Sequence, residues 1–438
     1  MKRRQILAAA SVLPLVSPRR LFAASGSPLA TAATKAWIYG LALIENAAAR
    51  EKFLRSARPN TMLHVRGLTT PANQFVTTPN NDTLYSSCWI DLSKGPVRIT
   101  LPATGARYGS VALMDMFTNN FAVLGTRTTG NDGGTFILVG PAQHSDDPLA
   151  LRSPTPWVWM LVRVLVDGEA DLPVAIALQD RFMVKGPATA GPIHSPTNRE
   201  APWAEYFASV QALLIENPPP VTDDRLFDEI APLGLGPRGG FNASRFSPAQ
   251  RAEIAAGVAE AKALVKAVRQ GRVSGGWAYP KANLGDFGQD YFYRAQVAVG
   301  GLAALPNAEA MYMRPVNDRG SIPFDSARDW VLRLPADKLP PIDGFWSLTM
   351  YKMTDDGQFF FFDNPVARYA IGDRTPGLVR DRAGGLDIYL TRRDPGPSRR
   401  ANWLPSPPDE PFGVVFRAYL PQAQLIDGGY ALPPLQAL

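Results

Sequence analysis

Two long stretches of this sequence alternate apolar and polar side chains with a period of two, and this alternation limits the fold more than any other feature. In the first stretch, about residues 74–181, one strand face carries Leu84, Cys88 and Ile90. In the second, which starts near residue 323, Trp346 and Leu348 mark the same pattern. Several short strands broken by Gly, Pro and Asn favour an antiparallel sandwich or barrel. The predicted fold is mainly β with a helical connector (α+β), in which helices join two antiparallel β-sandwich or jelly-roll-like domains.

The remaining strands are predicted wherever short apolar or alternating runs lie between turn residues. In the first domain these runs are residues 84–92, 97–101, 108–114, 121–126, 135–139, 157–165 and 174–178. In the second they are residues 345–351, 359–362, 386–390 and 414–420.

Helices are predicted where the apolar spacing changes to three and four residues. They cover residues 33–54, 203–215, 248–270 and 291–304, and Ser247 before Pro248 is a typical helix start. The predicted domains are an N-terminal β-sandwich with its leading helix at 33–195, a mainly helical connector at 196–305 and a C-terminal β-sandwich at 306–438.

The first residues have the layout of an export signal. Lys2, Arg3 and Arg4 precede an uncharged run over residues 6–16, and small residues follow at 23–26. Eleven residues are too few to span a bilayer, which takes about 20. The paired arginines favour the twin-arginine route over ordinary secretion. Residues 1–25 are therefore predicted to be a signal peptide, and the mature protein is expected in the periplasm or outside the cell, with no membrane span.

Most of the net charge belongs to this signal. The 438-residue chain has 45 basic and 39 acidic residues, a net charge of +6, and residues 1–25 contain five basic residues and no acidic one. Forty basic against 39 acidic residues leave +1 for the mature chain. Charge therefore gives no reason to expect nucleic acid as a partner. The single cysteine, Cys88, excludes an intramolecular disulfide.

Two groups of polar and aromatic residues resemble a known pair of bacterial families. The first group reads Pro79-Asn80-Asn81-Asp82-Thr83-Leu84-Tyr85, Thr118-Asn119-Asn120 and Gly125-Thr126-Arg127. The second reads Asp343-Gly344-Phe345-Trp346-Ser347, Arg368-Tyr369, Gly372-Asp373-Arg374, Asn402-Trp403 and Arg417-Ala418-Tyr419. They are similar to domain of unknown function 1254 and to its usual C-terminal companion, domain of unknown function 1214. The resemblance implies two sandwich-like domains joined by helices, export from a bacterial cell and a homo-oligomer. It implies no reaction.

The densest polar cluster is Asn80, Asn81, Asp82 and Tyr85. Its oxygens would suit calcium or the hydroxyls of a sugar, and a partly desolvated Asp82 would serve as a general acid or base. We assign Asp82 and Tyr85 as catalytic candidates, and Asn80 and Asn81 as substrate-binding candidates. The alternative is turn chemistry, in which Asn and Asp side chains bond backbone amides before a strand.

A second set of candidates lies on the following loops. Arg127 beside Asp82 or Asp115 would form a carboxylate–guanidinium pair suited to an acidic substrate, and Asn119 and Asn120 would bind its polar groups. A structural ion pair between loops is the alternative.

His64 is the one histidine within the family-like segment, and as a base it would titrate near neutral pH. A hydrogen-bonded structural histidine is the alternative. With only His64, His144, His194 and one cysteine, no transition-metal site is predicted. No cofactor is expected, and calcium is the one ion left open.

In the second domain, Trp346, Arg368 and Trp403 combine aromatic faces with fixed donors. Such residues suit a groove for an oligosaccharide, and they equally suit an interface between domains or subunits. Two functions therefore stay open. One is an exported enzyme acting on a polar, sugar-like or acidic small molecule or oligomer by acid–base hydrolysis or elimination. The other is a non-catalytic binding or assembly protein of the cell envelope.

Overall fold

The computed structural model describes residues 26–74, 77–267, 271–316, 324–325 and 327–438. The predicted signal at residues 1–25 lies outside the described residues, as do positions 268–270 at the predicted end of one helix. Within the described ranges, no helix combines the length and the apolar character that crossing a membrane requires.

The N-terminal sandwich packs a five-stranded sheet, in the order β1-β2-β8-β4-β5, on a four-stranded sheet, in the order β7-β6-β3-β9. The strands are β1 (Leu63–His64), β2 (Thr83–Asp91), β3 (Val97–Leu101), β4 (Gly109–Met114), β5 (Asn120–Gly125), β6 (Gly134–Val139), β7 (Leu151–Arg152), β8 (Trp157–Leu165) and β9 (Met183–Lys185). Apolar side chains from both sheets, among them Leu84, Ile99 and Val162, fill the space between them. The side chains that alternate between apolar and polar in the sequence thus point alternately to the core and to the outer face of each sheet.

The C-terminal sandwich has a seven-stranded sheet, in the order β10-β11-β12-β19-β14-β15 with β16 also on β14, and a four-stranded sheet, β18-β17-β13-β20. The strands are β10 (Arg272–Ser274), β11 (Trp277–Tyr279), β12 (Ala310–Pro315), β13 (Trp330–Leu334), β14 (Ile342–Met353), β15 (Phe359–Phe360), β16 (Ala370–Gly372), β17 (Leu386–Thr391), β18 (Trp403–Pro405), β19 (Phe412–Pro421) and β20 (Leu435–Ala437). The predicted fold class is confirmed. Each four-stranded sheet also contains one parallel pair, β6–β7 and β17–β18, which the prediction of purely antiparallel sheets lacked.

Four of the helices pack around the long first helix, and two short ones pack on the two sandwiches. They are α1 (Pro28–Leu54), α2 (Leu172–Gln179), α3 (Trp203–Glu216), α4 (Asp224–Ile230), α5 (Pro248–Ala267), α6 (Tyr291–Gly300) and α7 (Ala423–Ile426). The predicted strand at 174–178 is wrong, because these residues belong to α2. Pro173 fits the first turn of a helix, and so short an apolar run has no period that separates helix from strand.

The two sandwiches have the same strand order and the same pairing. β1-β2-β8-β4-β5 corresponds to β11-β12-β19-β14-β16, and β7-β6-β3-β9 corresponds to β18-β17-β13-β20. Their parallel pairs, β6–β7 and β17–β18, also occupy equivalent places. The C-terminal sandwich is therefore a structural repeat of the N-terminal one, which the sequence had not been predicted to contain.

The repeat extends to individual residues. In the first sandwich Arg163 on β8 lies opposite Tyr85 on β2 and Ser110 on β4. In the second, Arg417 on β19 lies opposite Tyr312 on β12 and Ser347 on β14. The sequence carries a trace of this repeat. Residues 79–85 and 306–312 both read Pro-Asn-x-acidic-x-apolar-Tyr.

Gly125 and Gly372 hold equivalent positions, opposite Ser110 and Ser347. A Cβ atom on Gly125 would lie 2.2 Å from the carbonyl oxygen of Gly109, and one on Gly372 would lie 2.1 Å from the carbonyl oxygen of Trp346. The same close backbone approach therefore recurs in both halves.

Substituting Gly125 by alanine should destabilise the protein by about 2 kcal/mol or more, because its φ of 117° and the backbone clash are both unfavourable for a side chain. Gly67→Ala is the control, since a Cβ atom there meets nothing within 4 Å. Urea unfolding of both variants measures the difference. Equal midpoints for the two variants would contradict the close approach.

Candidate functional site

The outer face of the five-stranded sheet packs against the equivalent face of the C-terminal sandwich, and aromatic rings form the contact. Phe345 and Tyr419 stack with ring centroids 4.1 Å apart, and Tyr108 packs edge-on against both. The equivalent strands of the two repeats thus face each other. Polar side chains of both repeats meet beside this aromatic contact.

Asn80 joins two tyrosines within this interface. Its Nδ2 donates to the hydroxyl of Tyr85 at 3.1 Å and to that of Tyr419 at 2.8 Å. Its Oδ1 accepts the backbone N–H of Asp82 at 2.7 Å, the Asx turn that the sequence offered as the alternative role. The Ser347 hydroxyl donates to Asp82 Oδ2 at 2.7 Å, and the Tyr419 hydroxyl lies 3.5 Å from the same oxygen. Both sandwiches thus hold the residue 80–85 segment.

Arg417 fixes the chain that leads into this segment. The side chain is only 4% exposed, and Nη2 donates to the carbonyl oxygens of Thr78 and Pro79 at 3.0 and 3.3 Å. Nη1 donates to the Thr349 hydroxyl at 2.7 Å, and Nη2 also donates to the Tyr351 hydroxyl at 2.8 Å. Arg417 is therefore a well-bonded structural cation beside Asp82.

Arg163, its counterpart in the first sandwich, is differently placed. The side chain is 5% exposed, and its guanidinium carbon lies 5.3 Å from the centre of the Tyr85 ring. Nη2 donates to the Ala303 carbonyl oxygen at 2.8 Å, whereas the buried Nη1 has no hydrogen-bond partner among the described residues. Within the described ranges, the cluster thus contains Arg417, which has four hydrogen-bond acceptors, and Arg163, which has one acceptor and an unpaired Nη1.

These contacts set the protonation of the two candidate acid–base groups. Burial alone would raise the pKa of Tyr85, but the Arg163 charge and the Asn80 hydrogen bond hold it below its ordinary value. Burial raises the pKa of Tyr419 well above that of a free tyrosine, and the Asp82 charge adds to this effect. An edge of Asp82 reaches solvent, but the dense packing around its carboxylate raises the pKa despite Arg417. Of the two tyrosines that Asn80 joins, Tyr85 is the one that ionises first.

The family described as "Protein of unknown function (DUF1254)" matches residues 59–186, and "Protein of unknown function (DUF1214)" matches residues 309–423. The chain thus contains one match to each of the two families, in that order. The DUF1254 match contains Asp82, Tyr85 and Arg163, and the DUF1214 match contains Arg417 and Tyr419. The polar cluster is thus shared between the two domains.

Among solved structures, the VPA0106 protein from Vibrio parahaemolyticus is similar over 94% of this chain and 100% of its own, with 22% sequence identity and a TM-score of 0.70. This similarity shows a shared fold. An uncharacterised protein from Burkholderia cenocepacia covers 91% of this chain and 87% of its own at 13% identity, with a TM-score of 0.46. No curated protein matches the sequence.

Arg127 of the DUF1254 domain pairs with Glu309 and not with Asp82 or Asp115. Its Nε donates to Glu309 Oε2 at 2.6 Å, and the Tyr108 hydroxyl donates to Oε1 at 2.8 Å. Glu309 lies 182 residues after Arg127, so nothing in the sequence marks the two as neighbours. It precedes β12 as Asp82 precedes β2 in the other repeat. The pair is the structural alternative, an ion pair between domains.

His64 lies away from the tyrosines. It pairs with Ser86 across β1 and β2, and its Nδ1 lies 2.8 Å from the Ser86 hydroxyl. Neighbouring residues of a strand point to opposite faces, so His64 and Tyr85 are on different sides of the sheet. Burial and the charge of Arg66 lower the pKa of His64. These contacts match the structural alternative and give His64 no part in the cluster.

Asn119 and Asn120 fasten the sheet to the connector. Asn119 Oδ1 accepts the Phe287 backbone N–H at 3.0 Å, and Asn120 Nδ2 donates to the carbonyl oxygens of Gly285 and Ala304 at 3.2 and 3.0 Å. Neither joins the tyrosines. Asn81 follows Asn80 in the cluster segment, and its buried Oδ1 accepts no hydrogen bond from the described residues.

Of the three candidates in the DUF1214 domain, the two tryptophans are buried and Arg368 is half-buried. Trp346 is 7% exposed and stacks on Phe416, and Trp403 is 2% exposed and donates to the Thr391 carbonyl oxygen. Arg368 donates to backbone carbonyls, including that of Trp403 at 2.8 Å. Neither indole presents a ring face to a ligand. Sequence composition cannot distinguish such a core from a sugar groove, since both use aromatic rings beside Arg and Asn.

The charge of the cluster favours an anion over a metal ion. In the described ranges no three His, Cys, Asp or Glu side chains come together in a way that could hold a metal. Arg417 also lies next to Asp82, where a calcium ion would meet its repulsion.

Sequence reasoning selected neither Arg163 nor Ser347 as a site residue. Arg163 is the only charged side chain in β8, a nine-residue strand that is otherwise apolar. A lone arginine in such a strand, together with the repeated Pro-Asn-x-acidic-x-apolar-Tyr segment, is the signal that could have found it.

Proposed function

We propose that this protein is an enzyme that acts on a small acidic molecule by acid–base chemistry, with Tyr85 as the base. The observation that carries the proposal is the Asn80 amide, which joins the Tyr85 and Tyr419 hydroxyls between two buried arginines. An arginine beside a tyrosine favours its ionised form, which is the form that accepts a proton.

Elimination is the reaction that this pair of groups serves most directly. The Tyr85 oxygen would take a proton from a carbon next to the substrate's carboxylate. The electron pair of that C–H bond would form a double bond as the bond to a hydroxyl or alkoxyl leaving group breaks. The leaving oxygen would take a proton from Asp82, which picks one up from solvent more readily than a free aspartate because burial raises its pKa. Hydrolysis would use Tyr85 on a water molecule instead.

The test is hydrogen exchange with solvent. The purified protein is incubated in deuterium oxide with hydroxy acids and uronic acids, once with added calcium and once with a chelator. Proton NMR then follows the loss of the substrate's C–H signal and the appearance of product. Loss of signal with folded but not heat-unfolded protein supports the proposal. If no acid exchanges or reacts under either condition, the binding or assembly protein of the envelope is the better explanation.

We also propose that the enzyme works outside the cytoplasm and is exported by the twin-arginine route. Substituting Arg3 and Arg4 together by lysine should leave most of the protein in the cytoplasm, because this route reads the arginine pair itself and lysine does not replace a guanidinium. The matched control replaces Arg19 and Arg20 by lysine and should be exported normally. Cell fractionation measures both variants. Normal export of the first variant would indicate ordinary secretion.

A further inference from the structure

We propose that Arg163 binds the single carboxylate group of a small monocarboxylic acid. This inference rests on the proposed function, since it names the class of substrate that Tyr85 would meet. Arg163 is 5% exposed, and its Nη1 meets no acceptor within the described part of the chain. The Ser110 hydroxyl, directly across on β4, lies beside the Tyr108 hydroxyl and forms no hydrogen bond with Arg163. The buried Nη1 of Arg163 thus points to a missing acceptor.

The repeat provides a comparison within the same molecule. Arg417 donates to Thr349 and Tyr351, two and four residues beyond Ser347 on β14. The residues at the same distances beyond Ser110 on β4 are Ala112 and Met114, which offer no oxygen. The two acceptors that satisfy Arg417 are therefore replaced by apolar side chains at Arg163.

The balancing carboxylate is also missing. The charge of Asp82 favours the charged form of Arg417. The Asp82 carbonyl oxygen accepts the N–H of Val166, just as the Glu309 carbonyl oxygen accepts the N–H of Leu420. Glu309 is thus the counterpart of Asp82. Its two carboxylate oxygens are taken by Arg127 and Tyr108. Among the described residues no carboxylate forms an ion pair with Arg163.

One buried positive charge calls for one negative charge. Three buried residues, Met114, Leu161 and Ala303, pack together near Arg163, with the half-buried Tyr85 and Trp159 against them. Apolar surroundings of this kind favour a singly charged carboxylate over a phosphate dianion, which would bring an unbalanced charge. The ligand would replace the Ala303 carbonyl oxygen, now the acceptor of Nη2.

The chain at Ala303 would have to move to admit the ligand, and its backbone conformation is strained. Ala303 has a φ of 65°, which is unfavourable for a residue other than glycine. Val297, Leu302 and Ala303 line a crevice too narrow to admit a water molecule, so the acid would enter only as this part of the chain moves. Butyrate, a small monocarboxylic acid with a short apolar chain, is a suitable probe.

Isothermal titration calorimetry with butyrate tests the site. The wild-type protein should bind butyrate at least tenfold more tightly than phosphate or the neutral analogue butyramide. Arg163→Gln should lose at least tenfold in affinity. Ala112→Thr, which restores one of the two acceptors at Arg163, should also weaken binding while it keeps the arginine. Circular dichroism confirms that each variant is folded.

Tyr85→Phe separates this inference from the proposed function. The substitution removes the base and leaves every N–H donor of Arg163 in place. The variant should therefore bind butyrate with an affinity within about threefold of wild type, whether or not the wild-type protein turns over any acid. Unchanged butyrate binding by Arg163→Gln would overturn the site. Phosphate binding as tight as butyrate binding, or no butyrate binding by the wild-type protein, would overturn it as well.

Discussion

Replacing Arg417 by methionine should lower the free energy of unfolding by about 3–5 kcal/mol, whereas the same substitution at Arg163 should leave it unchanged or raise it. The two arginines are buried to nearly the same degree, 4% and 5% exposed, at equivalent positions of the two repeats. Burial therefore contributes alike to both substitutions. Only the partners of the two side chains differ.

Arg417 donates to two hydroxyls and two backbone carbonyl oxygens, and Asp82 lies beside it. Removing the guanidinium leaves these buried acceptors without a donor, and a buried carboxylate without a cation is costly. At Arg163 the substitution frees the Ala303 carbonyl oxygen and removes a buried charge that no described carboxylate balances. An apolar side chain of similar length is the better neighbour for Met114 and Leu161.

Urea unfolding followed by tryptophan fluorescence gives both midpoints and slopes. Because the two substitutions are made at equivalent positions, strand geometry and burial contribute equally to both. The difference between the two changes in the free energy of unfolding therefore reports the partners of the two arginines. A loss at Arg163 as large as that at Arg417 would show that Arg163 is a structural cation, and the anion site would then have no basis.

The periodicity of the sequence was sufficient to predict the two sandwiches and the helical connector, because alternating burial in a strand follows directly from which sheet face meets the core. It failed at residues 174–178, where an apolar run of five residues carries no period. The repeat escaped because its strands share burial and register, while few of their residues are identical. Only the segments 79–85 and 306–312 kept a recognisable pattern.

At the site, sequence reasoning brought together Asn80, Asp82 and Tyr85, which are neighbours in the chain. It could not supply Arg163 or Tyr419, which reach them only through sheet pairing and domain contact. Polar clusters within one loop can thus be recognised from sequence, and clusters between two domains cannot.

Replacing Tyr85 by phenylalanine should slow the exchange of the substrate's C–H proton by about 10²–10⁴-fold, the usual contribution of a general base. The substitution removes one oxygen and keeps the ring on which Arg163 rests, so the fold should persist. Tyr312→Phe is the matched control, because Tyr312 lies at the equivalent position of the second repeat and burial raises its pKa. Its hydroxyl therefore stays protonated, and its removal should change the rate by about threefold at most.

The pH dependence of the same rate identifies the group. A base acts when it has lost its proton, so the rate should rise with pH and level off above the pKa of Tyr85, below the value of a free tyrosine because of Arg163 and Asn80. Arg163→Gln removes the charge that favours the phenolate, which should move this rise to higher pH. A rise that keeps its position in Arg163→Gln, or that persists in Tyr85→Phe, would assign the proton to another group. Asp82→Asn is less informative, because it also removes the anion beside Arg417 and would lower stability together with rate.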